Sequence, residues 1–307
     1  MGGFFGVVSR DTCVSDVFYG TDYHSHLGTR RGGMAVLGAT GFTRRIHDIS
    51  NAQFRSKFED ELADFSGRAG IGVISDYEDQ PLLITSHLGT YAIVTVCCIR
   101  NLDKLAHSLF AVRRGHFSET SGNGINPTEM IAALINTQAS FEEGLQHVQE
   151  SVEGSCSVLI LTEKGGLYAA RDRYGRTPVI LGRKEGALVA AMESCCFPNL
   201  GFQMYRELGP GEVVLLSPEG VDVRALPRPD LRICAFFWIY FGFPASSYEG
   251  VNVEDARYRC GERLARRSPV EADLVAGVPD SGVGHALGFA LGAGIPYKRP
   301  FVKYTPT

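Results

Sequence analysis

Eight cysteines carry the most nucleophilic side chains of this sequence, and two pairs of them, Cys97-Cys98 and Cys195-Cys196, are vicinal. No CxxC occurs, and cysteines scattered over 307 residues do not form the spaced framework of a small secreted protein. They read as free thiols in a reducing cytoplasm, acting as small hydrophobes. A second feature with chemical potential is Pro279-Asp280-Ser281-Gly282, ahead of an Ala/Leu/Gly-rich stretch. A serine hydroxyl is a hard oxygen ligand, and the backbone donors that open a helix suit phosphate. The plainer role for Ser281 is a helix cap. The run Gly282-Val283-Gly284-His285-Ala286-Leu287-Gly288 approaches a dinucleotide loop. Its third glycine falls one residue late and no complete βαβ unit follows, so a nicotinamide site is not expected.

To about residue 230 the pattern is of short strands with turn punctuation. Gly3 to Ser9, Gly33 to Gly41, Ala69 to Ser75 and Tyr91 to Ile99 are apolar, often β-branched runs. Three hairpins are clearer: Ser157 to Arg171 around Lys164-Gly165-Gly166, Pro178 to Met192 around Lys184-Glu185-Gly186, and Glu212 to Ala225 around Pro218-Glu219-Gly220. Glycine in each turn supplies the freedom a reversal needs. Between strands lie helices: Leu102 to Val112; Pro127 to Ile135, with Asn126 as cap, Pro127 in the first turn and Glu129 behind it; and Ser140 to Val152, opened by Ser140 and Glu143. Strands around a few helices predict two stacked sheets with helical cover.

Beyond residue 230 the character changes. Glu254 to Arg266 predicts a charged amphipathic helix, Asp273 to Val278 a buried parallel-type strand, and the stretch to about Ala293 a helix. A further strand is expected near Pro300 to Tyr304, so a parallel sheet reads as started and not finished.

Composition narrows the class. A length of 307 residues suggests two units, and a net charge of −4, from 30 basic and 34 acidic residues without a basic stripe, disfavours nucleic acid. The apolar N-terminus lacks a positive n-region and breaks at Arg10, too soon for a secretory signal, and Gly6 fails the myristoylation pattern. The stretch Ile233 to Ala245 is shorter than the ~20 residues a spanning helix needs. A soluble, cytoplasmic protein with no membrane partner is expected.

Several short pieces recur in a telling order: Gly3-Phe4-Phe5-Gly6, Arg30-Arg31-Gly32-Gly33, Gly70-Ile71-Gly72, Arg171-Asp172 with Gly175 and Pro178, Glu193-Ser194, Pro210-Gly211-Glu212, Ile239-Tyr240-Phe241 and Val278-Pro279-Asp280-Ser281. In this order and spacing the chain resembles the glutamine phosphoribosylpyrophosphate amidotransferases over nearly its whole length. The resemblance implies an α+β chain. Residues 1–230 would be a four-layer αββα class II glutamine amidotransferase domain of the N-terminal-nucleophile-hydrolase type. Residues 231–307 would be the start of a type I phosphoribosyltransferase domain, cut short. It implies the family's reaction, in which glutamine's amide nitrogen passes to phosphoribosyl pyrophosphate to give 5-phosphoribosylamine for purine synthesis, and it implies a homo-oligomer.

In such enzymes an N-terminal cysteine attacks the glutamine amide with its own α-amino group as base, an Asn-Gly pair forms the oxyanion hole, and an Arg and an Asp hold the α-groups. Carried over, the nucleophile falls on Gly2, which has no side chain, and the substrate Arg on Ser75. The oxyanion pair falls on Val96 and Cys97, where a backbone amide can survive, and the Asp falls on Pro127. Arg31-Gly32 matches the family at a pocket position, or marks a strand-entry turn with a surface arginine. Cys13 and Cys97 cannot be N-terminal and inherit no α-amino base. Gly2, Ser75, Val96 and Pro127 together read as a naturally degenerate glutaminase site rather than one silencing change.

The resemblance also places a Mg²⁺ contact at Ser281 within the phosphoribosyl loop Asp280-Ser281-Gly282. The family's acidic pair and Gly-Thr-rich loop would lie beyond residue 307. Cys234 matches one ligand of a [4Fe-4S] cluster found in one branch, and a buried cysteine is the expectation here, since one thiolate holds no cluster. No cofactor is expected in this chain. The expected function is that of an amidophosphoribosyltransferase homologue lacking glutaminase activity. The alternative is a non-catalytic binding or assembly module, its pocket taking a small glutamine-like or phosphoribosyl-pyrophosphate-like molecule.

Overall fold

A computed structural model describes residues 2–112, 117, 118, 120, 121 and 124–303. The chain divides into two compact units, Met1–Ile233 and Cys234–Thr307.

The first unit begins with β1 (Gly2–Ser9), α1 (Val14–Asp22), β2 (Arg31–Gly38), β3 (Gly41–Asp48), α2 (Phe54–Phe58), β4 (Ala69–Ser75), β5 (Leu82–Ser86) and β6 (Gly89–Ile99). It continues through α3 (Leu102–Val112), the short pair β7 (Thr120–Ser121) and β8 (Gly124–Ile125), α4 (Pro127–Ile135), α5 (Phe141–Ser151), β9 (Gly154–Thr162) and β10 (Leu167–Ala170). It ends with β11 (Ile180–Lys184), β12 (Ala187–Ala191), α6 (Cys196–Asn199), β13 (Gln203–Glu207), β14 (Val213–Ser217) and β15 (Gly220–Ala225). Seven strands form one antiparallel sheet in the order β13-β11-β12-β1-β4-β2-β3, and six form the other in the order β15-β14-β10-β9-β6-β5.

The two faces of β1 show why four layers result. A Cβ on Gly6 would meet Leu159 and Leu167 of the opposite sheet at 2.9 Å, so even positions face the sandwich interior. Odd positions face α1, where Phe5 fills the space that a Cβ on Gly20 would need. Both faces are therefore apolar, and all eight residues of β1 are buried. On the far side, Ile131 and Ile135 of α4 and Leu145 and Val148 of α5 pack with Tyr91, Ile93, Val158 and Ile160. Each such side chain contributes about 1.5–3 kcal/mol when fully buried. Capping fixes where these helices start: Asn126 accepts from the Thr128 and Glu129 amides, and Ser140 from that of Glu143.

Turn chemistry differs among the three hairpins. Gly165 and Gly186 adopt left-handed φ of 83° and 71°. Gly220 does not, and that reversal instead uses Pro218 and a Ser217 hydroxyl accepting from the Glu219 amide. The sequence pattern merges β2 with its turn and misses β3, whose Thr43, Arg44, Arg45 and His47 hide its alternation.

In the second unit, α7 (Val253–Arg267) packs on α8 (Gly282–Ala293) with the backbones almost touching. A Cβ on Gly261 would lie 2.0 Å from the His285 carbonyl oxygen, and one on Gly288 would lie 2.1 Å from that of Tyr258. The fully buried Arg257 of α7 donates to the carbonyls of Trp238, Tyr240 and Gly242, tying down the π-helical turn Phe237–Phe241. Two sequence expectations fail here. Asp273 to Val278 is not a buried strand: it makes one parallel bridge, Val275 to Tyr297, while Leu274 and Val278 are exposed. No strand forms over residues 300–303, and Tyr304 lies outside the described residues. A parallel strand needs ladder partners on its sides, and an apolar run with a single bridge stays irregular.

Candidate functional site

Three strand ends meet at one rim of the sandwich. Gly2 opens β1 opposite Ser75, the last residue of β4, and Ser75 lies opposite Arg31, the first residue of β2. Residues directly opposite in an antiparallel ladder share a face, so all three share the face of Gly6, toward the second sheet. At Gly2 the backbones are close: a Cβ there would lie 2.6 Å from the Ile74 carbonyl oxygen. Position 2 thus lacks a side chain and the room for one.

Arg31 is a cation of this rim, and two carboxylates occupy it. It donates to Asp48 and pairs with Asp79 at 2.9 Å. Hydrogen bonds from the Ser50 hydroxyl and amide, then the guanidinium, hold the Asp48 carboxyl down at about 2. Ser75 Oγ donates to Glu78 Oε2 at 3.0 Å and accepts from the Tyr77 amide, a closed local turn rather than a hydroxyl offered to a ligand. Glu78 is only 7 % exposed, and burial pushes its carboxyl up despite the Ser75 hydrogen bond. A rim that binds an α-carboxylate needs surplus positive charge; this one carries acid.

The loop bearing these acids is held flat on β2. A Cβ on Gly33 would fall 1.8 Å from the Gln80 carbonyl oxygen, so only glycine lets the loop lie there. The Gln80 side chain then donates to the Thr95 carbonyl and accepts from the Thr95 amide, extending the β5 side of the sheet with a side chain.

Val96 and Cys97 lie on β6, opposite Ser157 and Cys156 of β9. Arg100 N–H donates to Glu153 O, and Glu163 N–H to Thr90 O. In this unbroken register, alternation makes Val96 and Ser157 a hydrogen-bonded pair and Cys97 and Cys156 a non-hydrogen-bonded one. The Cys97 amide therefore points away from β9, to the side where β5 has ended, and a backbone donor persists there. Its thiol faces the helices, 3.5 Å from the Thr95 hydroxyl, and offers no nucleophile to the cleft. Val96 fills the inner face with an apolar side chain that donates nothing. Pro127 occupies the first turn of α4, behind Asn126, whose side-chain amide donates to the Asp79 carbonyl. Cys13 is fully buried at the start of α1, and burial pushes its thiol up to about 12.

Beneath the rim, on the α1 face, His24 is fully buried. Its Nδ1 donates to the Gly20 carbonyl at 2.7 Å, so Nε2 accepts from the Glu193 amide at 3.2 Å, which sets the neutral tautomer. Glu193, also fully buried, accepts from His26 at 3.0 Å and from Cys195. Burial lowers the His24 pKa to about 4, from an ordinary value of 6.5. The unfolded chain therefore binds the extra proton first. Stability from neutral His24 is complete above pH 6.5 and is lost as pH falls toward 4, by up to about 3 kcal/mol. Denaturant titration of the parent chain and His24→Gln at several pH values should show this slope in the parent and its reduction in the variant.

In the second unit, Ser281 precedes α8 but its hydroxyl makes no cap hydrogen bond, and Lys303 reaches Asp280 at 3.5 Å. Gly282 opens the helix. Cys234 is a half-buried free thiol. Among the described residues no three His, Cys, Asp or Glu side chains converge as metal ligands. The residues present do not fit a four-thiolate cluster at Cys234, nor an acidic Mg²⁺ cage at Ser281.

The family described as "Glutamine amidotransferase domain" matches residues 67–198. Amidophosphoribosyltransferase of Bacillus subtilis is 30% identical over 313 residues, which cover 98% of this chain and 64% of the relative. That of Methanocaldococcus jannaschii is 28% identical, covering 99% and 69%. The solved B. subtilis glutamine phosphoribosylpyrophosphate amidotransferase, complexed with ADP and GMP, superposes with a TM-score of 0.87 at 29% identity, covering 97% of this chain and 65% of that one. This chain belongs to the amidophosphoribosyltransferase family. It spans about two thirds of the length of these relatives.

The α+β, N-terminal-nucleophile-hydrolase-type fold of the family accounts for the four layers. Within it, Gly2, Arg31 and Ser75 come together at one rim, while Val96 and Cys97 stand on the facing sheet. Pattern reading of the sequence missed Asp48, Glu78, Asp79, Gln80 and His24. The first four lie at a strand end or in a loop without periodicity, and no spacing signal marks them. His24 had a faint one, as a histidine two residues from another after an apolar helix.

Proposed function

We propose that this chain is an amidophosphoribosyltransferase homologue whose first unit keeps the architecture of a glutaminase and has lost glutamine hydrolysis. The observation that carries this reading is Gly2: at the nucleophile position there is neither a thiol nor space for a Cβ. Covalent attack on an amide needs a lone pair on a positioned side chain, and neither the buried Ser75 nor the helix-facing Cys97 supplies one. The neutralised Arg31 and the buried Glu78 point the same way, since the Arg31 guanidinium is already taken by two carboxylates.

The cleft then serves as a binding or assembly element within a cytoplasmic, homo-oligomeric protein. Whether phosphoribosyl transfer is performed rests on residues beyond the loop at Asp280, Ser281 and Gly282. The test is glutamate release from glutamine by the purified chain, with no turnover expected above buffer. Hydrolysis that scales with protein and is abolished in step with stoichiometric labelling by a glutamine-derived electrophile would overturn the reading. Glutamine is also expected to leave the thermal midpoint within about 1 °C, because a ligand that does not prefer the folded state shifts nothing.

A further inference from the structure

Two cysteines that the glutaminase chemistry does not use face each other across the strands of the second sheet. Cys97 of β6 and Cys156 of β9 are directly opposite in the ladder. Because Arg100 donates to Glu153 and Glu163 to Thr90 across an unbroken register, this pair is a non-hydrogen-bonded one. That is the closer of the two antiparallel pair types, with Cα atoms about 4.5 Å apart and side chains side by side. A disulfide accepts Cα separations of about 4.4–6.8 Å, so the backbone is already placed for one. Both thiols are free, and they are close enough to share a hydrogen bond. Their accessibilities differ in a useful way: Cys97 is half-buried, whereas Cys156 is 4 % exposed.

We propose that Cys97 and Cys156 form a reversible cross-strand dithiol–disulfide couple, with a small-molecule disulfide such as glutathione disulfide as oxidant. The Cys97 thiolate attacks one sulfur of the small disulfide, forming a mixed disulfide and expelling one small thiolate. Cys156 then loses its proton to solvent, its sulfur attacks Cys97 Sγ, and the second small thiolate leaves. Two electrons pass from the protein to the small disulfide, and a small dithiol or excess thiol reverses the sequence. The hydrogen bond to Cys97 and burial both push the Cys156 thiol up. The second step is therefore the slow one, since only the thiolate attacks. Closure pins β6 to β9 beside Val96 and the outward-pointing Cys97 amide, at the cleft rim. The couple needs no glutaminase chemistry, so it stands or falls apart from the reading of the cleft.

Cys98 and Cys260 are exposed and would capture the oxidant on their own, so the test uses the full chain carrying Cys98→Ser and Cys260→Ser. The reduced protein, freed of reductant, is incubated with excess glutathione disulfide, then denatured, alkylated and mapped. The tryptic peptides bearing Cys97 and Cys156 are expected to run as one crosslinked species that separates on reduction. Neither Cys97 nor Cys156 should then be recovered as an alkylated peptide. With Cys156→Ser added, Cys97 should instead carry a stable glutathione adduct. Recovery of both cysteines alkylated would overturn the proposal, as would Cys97 held only as the mixed disulfide while Cys156 stays alkylated, or crosslinks joining either one to another cysteine. The parent mapping decides the matter even if the Cys156→Ser chain fails to fold.

Discussion

Replacing Gly2 with cysteine leaves glutamine hydrolysis undetectable, even when Met1 is removed so that the new thiol has a free α-amine beside it. Three observations point this way independently. The Cβ of the new residue falls 2.6 Å from the Ile74 carbonyl oxygen, so β1 or β4 must shift before the thiol can aim at anything. Arg31 is held by Asp48 and Asp79, and Glu78 lies behind Ser75, so the substrate's α-carboxylate finds acid where it needs a cation. Val96 provides no side-chain donor for the developing oxyanion, the loss of which costs about 10²–10³ in rate on its own. Catalytic groups act as a unit, and restoring one member recovers little. Adding Ser75→Arg, Val96→Asn, Cys97→Gly and Pro127→Asp should bring measurable glutamate release, at least about tenfold above the single variant. Coupled glutamate detection distinguishes the two. Turnover by Gly2→Cys alone, within an order of magnitude of the combined variant, would show that the rim is still functional.

Arg171→Met should destabilise the first unit by about 3–5 kcal/mol, seen as a lower denaturant midpoint in the full chain. Arg171 is 1 % exposed, and its guanidinium donates to the carbonyls of Thr177, Leu208 and Gly175 at 3.2, 2.5 and 2.8 Å. These carbonyls lie on two backbone stretches, the loop at Gly175 and Thr177 and the residue that follows β13, and the side chain ties one to the other. Methionine fills part of the volume but leaves buried acceptors without donors, each costing about 1–3 kcal/mol. Asp172 beside it, whose carboxylate accepts from the amides of Tyr174 and Thr177, would lose its neighbouring cation as well. Arg171→Lys should rescue less than half, because an ammonium cannot reach three divergent carbonyls with a planar fork. A loss under about 1 kcal/mol for methionine would show that this arginine is not the clasp described.

The elements with strong local signals were legible in the residues. Asn126 with Pro127 and Glu129 fixes α4 at Pro127–Ile135, and the unbroken apolar run Ala69 to Ser75 coincides with β4. Elements whose identity depends on partners were not. β3 pairs with β2 along its whole length, yet its charged residues, on an edge, give no alternation. Asp273 to Val278 has a strand's composition but one bridging partner, and composition alone cannot form a ladder. At the site, the resemblance puts the family's nucleophile on Gly2, because the neighbouring Gly3-Phe4-Phe5-Gly6 sets the register. The replacement electrostatics were not visible: Glu78 and Asp79 become site residues only because a loop folds back onto β2. Arg31 matches the family, and only its contacts reveal that its charge is spent.

The closeness of the Gln80 carbonyl to Gly33 bears on how this protein can change over generations. The acid character of the rim is set by a residue that carries no side chain. Even a methyl group at position 33 would displace the loop and carry Glu78, Asp79 and the Gln80 clasp with it. Drift at that one strand position would alter what the cleft admits without any substitution inside it, so lineages that share the rim residues but differ at position 33 should differ in ligand preference.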